Sequence, residues 1–319
     1  MTQKIFSLAD KRVFVAGHRG MAGSAIVRRL RQMGIEALTA PRDQLDLKDR
    51  ASVARYFART KPEVVFLAAA KVGGIAANSA YPVDFLMDNL AIQQAVIAEA
   101  HQHGVAKLLF LGSSCIYPKH AAQPISEDQL LMGPLEPTNQ WYAIAKIAGL
   151  KMCESYRQQY GADFVSIMPT NLYGPGDNYH PEHSHVPAAL ILRFHEAKMR
   201  ASPEVVVWGT GTPRREFLYV DDFADACVFV MEHYSAAAPL NVGTGSDIRI
   251  AEFAETVRDI IGCRAEIVFD TSRPDGTPRK VLDVSRLANL GWRARTPLRE
   301  GLARSYAWYL DNLNSLRVA

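Results

Sequence analysis

Ser113, Ser114 and Cys115 follow an apolar run at 108–111, and further along Tyr142 and Lys146 stand four apart in a segment of helical pattern. Four positions apart on a helix, two side chains share a face. The Lys146 ammonium is therefore expected beside the Tyr142 phenol, favouring the phenolate and pulling its pKa down from about 10. A phenol so tuned can hand a proton to a developing alkoxide near neutral pH. A hydroxyl at the end of a buried strand can hold the carbonyl oxygen meanwhile, and Ser113 is the expected holder. Together these are the parts of a site that handles a carbonyl group. Taken singly, a Tyr and a Lys at helical spacing also make a solvated face, Ser-Ser a turn, and Cys115 a small buried hydrophobe. The order of motifs along the chain is what separates the two readings.

Positioning such a set requires a strand end, and the chain supplies several. Residues 12–16 form an apolar run that ends in Gly17-His18-Arg19-Gly20-Met21-Ala22-Gly23, after which Ile26, Val27 and Leu30 continue an amphipathic helix. In a strand, glycine turn and helix, Gly17 permits the tight turn, Gly20 lets the backbone approach a pyrophosphate and Gly23 allows close helix packing. The helix N-terminus then offers free N–H groups to the anion. The spacing is GxxGxxG, weak by itself, and its place after the first strand gives it weight. A second strand, expected near 36–39, should end at the adenosine ribose of a dinucleotide. Pro41-Arg42-Asp43 stands there in place of an NAD-selecting acid. Arg42, helped by Arg19, could hold a 2′-phosphate bidentately, which points to NADP(H); the alternative is a solvated Arg42 paired with Asp43. Leu47 is a candidate wall for the adenine.

A third buried strand at 64–68 runs into Ala69-Ala70-Lys71-Val72-Gly73-Gly74, small enough for a cofactor to lie against backbone. Helices are expected over 84–101 and 142–160, with His101 and His103 explained by the dipole at the end of the first. The loop 117–139 carries four prolines and is not helical. A strand over 163–168 ends in Pro169-Thr170-Asn171-Leu172-Tyr173-Gly174-Pro175, which should line the crevice. This alternation predicts an α/β fold with a doubly wound parallel sheet of Rossmann type.

After Gly176 the texture changes, with His180, His183 and His185 in a polar stretch, then a helix over 186–199 and a strand over 205–208. Asp221 and Asp222 open another helix, and 240–245 returns to the sheet. Residues 1–175 with about 216–245 are expected to form an NADP-binding domain. About 176–215 and 246–319 are expected to form a smaller α/β substrate-binding cap.

The 319 residues are 48% hydrophobic and 22% charged, ordinary for a globular protein. A net charge of +3 gives no reason to expect a nucleic-acid surface. Cys115, Cys153, Cys227 and Cys263 are widely spaced, suggesting neither a metal site nor a disulfide framework. No signal peptide and no run of about 20 apolar residues is visible, so a cytoplasmic protein without membrane association is expected.

Gly17-xx-Gly20-xx-Gly23, Ser113-Ser114-Cys115, Tyr142-xxx-Lys146, the string from Pro169 to Pro175 and Arg215-Glu216-Phe217 occur in that order. The chain thereby resembles, over almost its whole length, the extended short-chain dehydrogenase/reductases that act on nucleotide sugars. His18-Arg19-Gly20-Met21, Ala69 to Gly74, Ser113 to Pro118 and Asn139 to Lys146 are similar to the branch acting on GDP-4-keto-6-deoxy-D-mannose. That branch epimerises C3 and C5 and reduces C4 with NADPH. Gln140-Trp141 and a short 234–240 segment depart from its pattern.

The resemblance implies Cys115 as the base and His185 as the acid, with His180 and His183 as other candidates for the acid. Ser113 and Tyr142 would hold the C4 oxygen, and Lys146 would tune Tyr142 and bind the nicotinamide ribose. It further implies that residues 17–23, Arg42, Leu47, Ala69, Lys71, Pro169, Asn171, Leu172 and His185 face NADP(H). For the GDP-sugar, Arg193 and Arg215 are candidates for the diphosphate, Trp208 for a flat contact and Asp275 for an acceptor. Trp208 could instead be core, and Arg214, Arg279 and Lys280 surface charges. A homodimer through the two long helices is expected by analogy. A 4-epimerase or 4,6-dehydratase on the same fold is the nearest rival, but a dehydratase should want a carboxylate close to the serine and none is adjacent. A silent NADP-binding regulator would not need Ser113, Tyr142 and Lys146 together.

Overall fold

In a computed structural model that describes residues 3–181, 184–273 and 275–316, the first half runs β1 (Val13–Ala16), α1 (Met21–Gln32), α2 (Arg50–Thr60), β2 (Val64–Leu67), α3 (Ile75–Ala80), α4 (Pro82–Gln102), β3 (Lys107–Leu111), α5 (Gln140–Tyr160) and β4 (Phe164–Pro169). There follow β5 (Asn171–Tyr173), α6 (Val186–Arg200), β6 (Glu204–Trp208), β7 (Arg214–Arg215), β8 (Phe217–Tyr219), α7 (Val220–His233) and β9 (Leu240–Val242). The chain ends with β10 (Ile248–Arg249), α8 (Ile250–Ile261), β11 (Glu266–Asp270), β12 (Arg279–Lys280), α9 (Ser285–Leu290) and α10 (Leu298–Asp311).

A parallel sheet of order β1-β2-β3-β4-β9 forms the centre. Its strands are buried at every position, and apolar except at Lys107, Ser166 and Asn241, because alternate residues enter two different cores. Val13, Val15, Val64, Phe66, Leu109, Leu111, Val165 and Ile167 face one layer with α1 and α7. Phe14, Ala16, Val65, Leu67, Leu108, Phe110, Phe164 and Met168 face the other with α2, α4 and α5. Helices thus cover both faces, and the doubly wound α/β fold read from the sequence is the one observed.

The strand expected at 36–39 is not formed. One bridge, Phe14 to Leu38, takes its place, held by Leu38 N to Val13 O at 2.7 Å and Val15 N to Leu38 O at 3.1 Å. Pairing stops before Pro41, which has no N–H to donate. α4 begins at Pro82, where a first-turn proline loses no hydrogen bond, and α5 ends at Gly161 with φ +70°.

A third core joins α6, α8 and α10 to Val205, Val207, Phe217 and Tyr219. The segment beyond 246 does not belong wholly to this cap. Leu282 enters the α2/α4/α5 layer, and Leu287 and Trp292 enter the α1/α7 layer. Apolar side chains on α9 are therefore buried by the central sheet, and the second half of the chain ties the two units together. In a parallel sheet the strands' carboxyl ends open onto the ligand crevice, and here they deliver Gly17, Ala68, Gly112 and Thr170.

Candidate active site

At the first strand end the backbone is packed too closely for any side chain. Gly17 has φ +91°, and a Cβ there would lie 2.7 Å from Ala69 Cα; one on Gly23 would lie 2.1 Å from Gly17 O. Gly20 precedes α1, whose first turn has no side-chain cap and no acidic residue. Uncapped N–H groups at a helix start suit a pyrophosphate, so the cradle fits a dinucleotide. His18, Met21 and Ala22 border it half-buried. Arg19 and Arg42 are exposed, and among the described residues neither is paired with a carboxylate, Asp43 included.

Other crevice residues are deployed less directly than expected. The Lys71 side chain turns to Asp84, with Nζ 2.5 Å from the carboxylate, and its backbone is clamped by buried Asn89 at 2.9 and 3.0 Å. What Lys71 offers the crevice is main chain. Pro169 is buried at the end of β4, and Leu172 packs on the α1/α7 core. Asn171 donates to Glu216 O at 2.8 Å, and Leu47 packs against the α2/α4/α5 core.

The carbonyl-handling group assembles around the start of α5. Tyr142 is buried beside Phe85, Ala77 and Cys115, and the Ser113 hydroxyl hydrogen-bonds its phenol. Ser113 Oγ also accepts from Cys115 N at 3.2 Å. The expected effect of Lys146 on Tyr142 is not observed. Lys146 Nζ donates to Leu111 O at 2.7 Å and lies 5.8 Å from the Tyr142 ring centre. Burial, reinforced by the neighbouring Cys115 sulfur, pushes the phenol above its usual range, with only the Ser113 bond opposing. Burial likewise lowers Lys146 to about 7. Desolvation of both groups outweighs their mutual attraction.

Cys115 is half-buried at the same spot. Asn139 Nδ2 lies 3.3 Å from its sulfur and Lys280 Nζ 3.6 Å. His185, just before α6, is an exposed residue. The surrounding protein mass, and secondarily the Lys280 charge, hold its pKa below the ordinary value. His180 lies in the polar stretch before it, its amide on Asn178 Oδ1 at 3.1 Å; His183 lies outside the described residues. Asn139 Oδ1 and Ser184 Oγ are buried without hydrogen-bond partners among the described residues. Orphaned polar atoms of this kind call for hydroxyl-bearing guests.

From Cys115 a polar track runs into the cap. Arg215 has its pKa lowered from the ordinary value by burial. It donates to Asp275 O at 3.2 Å. Both Asp275 carboxylate oxygens are engaged by Thr210, at 2.7 Å from its N and 2.8 Å from its hydroxyl. Asp275 therefore shapes the turn after β6, which differs from the acceptor role expected of it. Two residues before Thr210, Trp208 is 40% exposed and so not core. The Arg193 and Arg273 guanidinium carbons each stand 4.8 Å from its ring centre. Arg193 and Trp208 wall an open recess of about 240 Å³. Arg214 and Arg279 grip Asp247. Sequence reasoning overlooked Lys280, Asn139 and Ser184. Only the pairing of β12 with β7, which sets Lys280 opposite Arg215, could have exposed the first.

Among the described residues no cluster could hold a metal ion, and no helix is long and apolar enough to cross a membrane.

Known proteins share this architecture. GDP-L-fucose synthase 1 of Arabidopsis thaliana is 56% identical over 313 residues, covering 97% of this chain and 97% of its own. GDP-L-fucose synthase of Escherichia coli K12 is 54% identical over 320 residues, covering 97% and 100%. A GDP-L-fucose synthetase from Naegleria fowleri, solved bound to NADP, superposes with a TM-score of 0.90 at 27% identity, covering 99% of this chain and 98% of that one. The model of the NAD dependent epimerase/dehydratase family matches residues 13–243, from β1 through β9. With the glycine cradle, the Ser-Tyr-Lys set and relatives matching along nearly its whole length, the chain belongs to that family, the extended short-chain dehydrogenase/reductases.

Proposed function

We propose that this enzyme converts GDP-4-keto-6-deoxy-D-mannose to GDP-L-fucose, inverting C3 and C5 and then reducing the C4 ketone with NADPH. The observation that carries the reading is a thiol, a phenol and a serine hydroxyl gathered at one strand end. The names of the relatives support the choice of substrate.

The chemistry follows from the ketone. Its C4 carbonyl acidifies the hydrogens on C3 and C5, so one base and one acid on opposite sides of the ring can invert each centre through an enolate. Cys115 removes the proton and His185 returns one to the other face. Ser113 and Tyr142 hold the C4 oxygen, where negative charge develops in both half-reactions. Because burial keeps the Tyr142 phenol protonated at neutral pH, it is the proton donor to that oxygen during reduction. NADPH supplies the hydride when bound. Gly17, Gly20 and Gly23 seat its pyrophosphate, Arg19 and Arg42 take its 2′-phosphate, and Lys146 takes the nicotinamide ribose. Asn139 and Ser184, with their unpartnered oxygens, receive sugar hydroxyls, while Arg193, Arg215 and Trp208 receive the GDP.

Exposed Val83 and Met87 on α4 and Trp141 and Ile144 on α5 support pairing of two copies through these helices. The four free thiols suit the cytoplasm. Incubating the protein with NADPH and the keto-sugar tests the activity. Loss of NADPH absorbance with a fucose-configured product by NMR is expected. Unchanged absorbance, or a reduced product that keeps the manno configuration, would overturn it.

A further inference from the structure

Arg273 is brought to Trp208 by strand register. β11 pairs in parallel with β6 and sets Asp270 opposite Trp208, so the turn that leaves β11 begins beside the indole. Asp270 braces that turn. Its carbonyl accepts from Arg273 N at 3.3 Å and from Gly209 N at 2.9 Å, and its Oδ1 accepts from Ser272 N at 3.0 Å and from Ser272 Oγ at 2.6 Å. Further along, Asp275 holds Thr210, and a Cβ on Gly209 would lie 2.3 Å from Asp275 Oδ1. The turns after β6 and β11 are thereby locked together, with Arg273 between the two anchors and its guanidinium carbon 4.8 Å from the Trp208 ring centre.

The two cations on this ring are not equivalent. Arg193 Nη1 donates to Val206 O at 3.1 Å. The Arg273 guanidinium makes no hydrogen bond among the described residues, and its one ion pair there, to Asp270, is 3.8 Å long, too long to occupy its donors. Its side chain is 56% exposed. A free guanidinium fork therefore stands over an exposed aromatic ring. The proposed substrate, on which this inference rests, brings a guanine to that ring. Guanine presents two acceptors, N7 and O6, along one edge, whereas adenine replaces O6 with an amino donor. A guanidinium matches the first edge and meets the second donor to donor. We propose that Arg273 reads the nucleobase, donating two parallel hydrogen bonds to guanine N7 and O6, and so selects guanosine over adenosine diphospho-sugars. Arg193 and Arg215 cannot make this choice by holding the diphosphate, which both kinds of nucleotide carry.

Dissociation constants for GDP, IDP and ADP, measured by calorimetry on the full chain, test the assignment. IDP keeps N7 and O6 and lacks only the 2-amino group. Wild type is expected to prefer GDP and IDP to ADP. In Arg273→Ala, GDP and IDP should both weaken by about tenfold or more, while ADP changes by less than about twofold. Arg273→Gln, whose amide matches adenine N6 and N7, should move the preference toward ADP, a change that a damaged fold does not produce. Equal weakening of all three ligands in Arg273→Ala would reduce Arg273 to a general positive charge and overturn the proposal. So would weakening of GDP without IDP, the wild-type preference kept in either variant, or wild type holding ADP as tightly as GDP. Trp208→Ala should weaken all three ligands. Unchanged affinities there would overturn the placement of the base on Trp208, an outcome distinct from failure of the part given to Arg273.

Discussion

The Lys280 ammonium lies 3.6 Å from the Cys115 sulfur although 165 positions separate the two residues. The pairing of β12 with β7 sets Lys280 opposite Arg215 and so carries a residue from late in the chain to this thiol.

On the proposed mechanism Tyr142→Phe removes the proton donor and one of two groups on the C4 oxygen, while Ser113 remains. NADPH consumption is expected to fall about 10²- to 10⁴-fold. Exchange of the C3 and C5 hydrogens should fall less. Equal losses in both would contradict the assignment of Tyr142 as the reduction's proton donor.

Burial of Lys146 carries a stability cost. Its pKa is about 7 when folded and about 10.4 when unfolded, so between these values the unfolded chain binds a proton that the folded one lacks. Stability attributable to this site therefore rises with pH across that window, and the penalty is complete below pH 7. Lys146→Met should raise Tm at pH 7 by roughly 2–4 °C, with the gain shrinking toward pH 10, while NADPH binding weakens. A lower Tm at pH 7, or a gain that grows with pH, would refute this.

Arg19 and Arg42 are exposed and have no carboxylate partner among the described residues, and both are proposed to meet the 2′-phosphate. Charge-assisted bonds to a phosphate contribute about 1.5–3 kcal/mol each. Arg42→Ala should lower the preference for NADPH over NADH, compared as kcat/KM, by about 10- to 100-fold, with Arg19→Ala acting in the same direction. An unchanged ratio in both variants would place the 2′-phosphate elsewhere.

Trp208, flanked by two guanidinium groups, is expected to act on binding alone. Trp208→Ala should raise the KM for the GDP-sugar by about tenfold, in keeping with about 1–3 kcal/mol for a base stacked on an aromatic ring, and leave kcat nearly unchanged. A fall in kcat with constant KM would remove it from the nucleotide subsite.

Much of this was legible in the sequence because its signals are local. The sheet shows in apolar runs whose alternate residues feed two cores, the cradle in three glycines of fixed spacing, and the Tyr142–Lys146 face in helical periodicity. What was misread depends on solvation or on distant pairing. Helical spacing set Lys146 beneath Tyr142 but could not reveal that burial outweighs the ammonium's pull on the phenol. Nor could it show that Lys71 turns to Asp84 or that Thr210 occupies Asp275. Lys280 sits in a polar run that reads as surface, and only the β12–β7 register gives it a place in the site.

The most direct test of the central claim is solvent deuterium uptake at C3 and C5 in Cys115→Ser, measured by NMR alongside C4 reduction in the same variant. A serine hydroxyl fills nearly the same space but is a far weaker base near neutral pH. Uptake at both carbons should be lost, while direct reduction of the uninverted ketone remains measurable. Uptake at the wild-type rate would show that the sulfur of residue 115 is not the base.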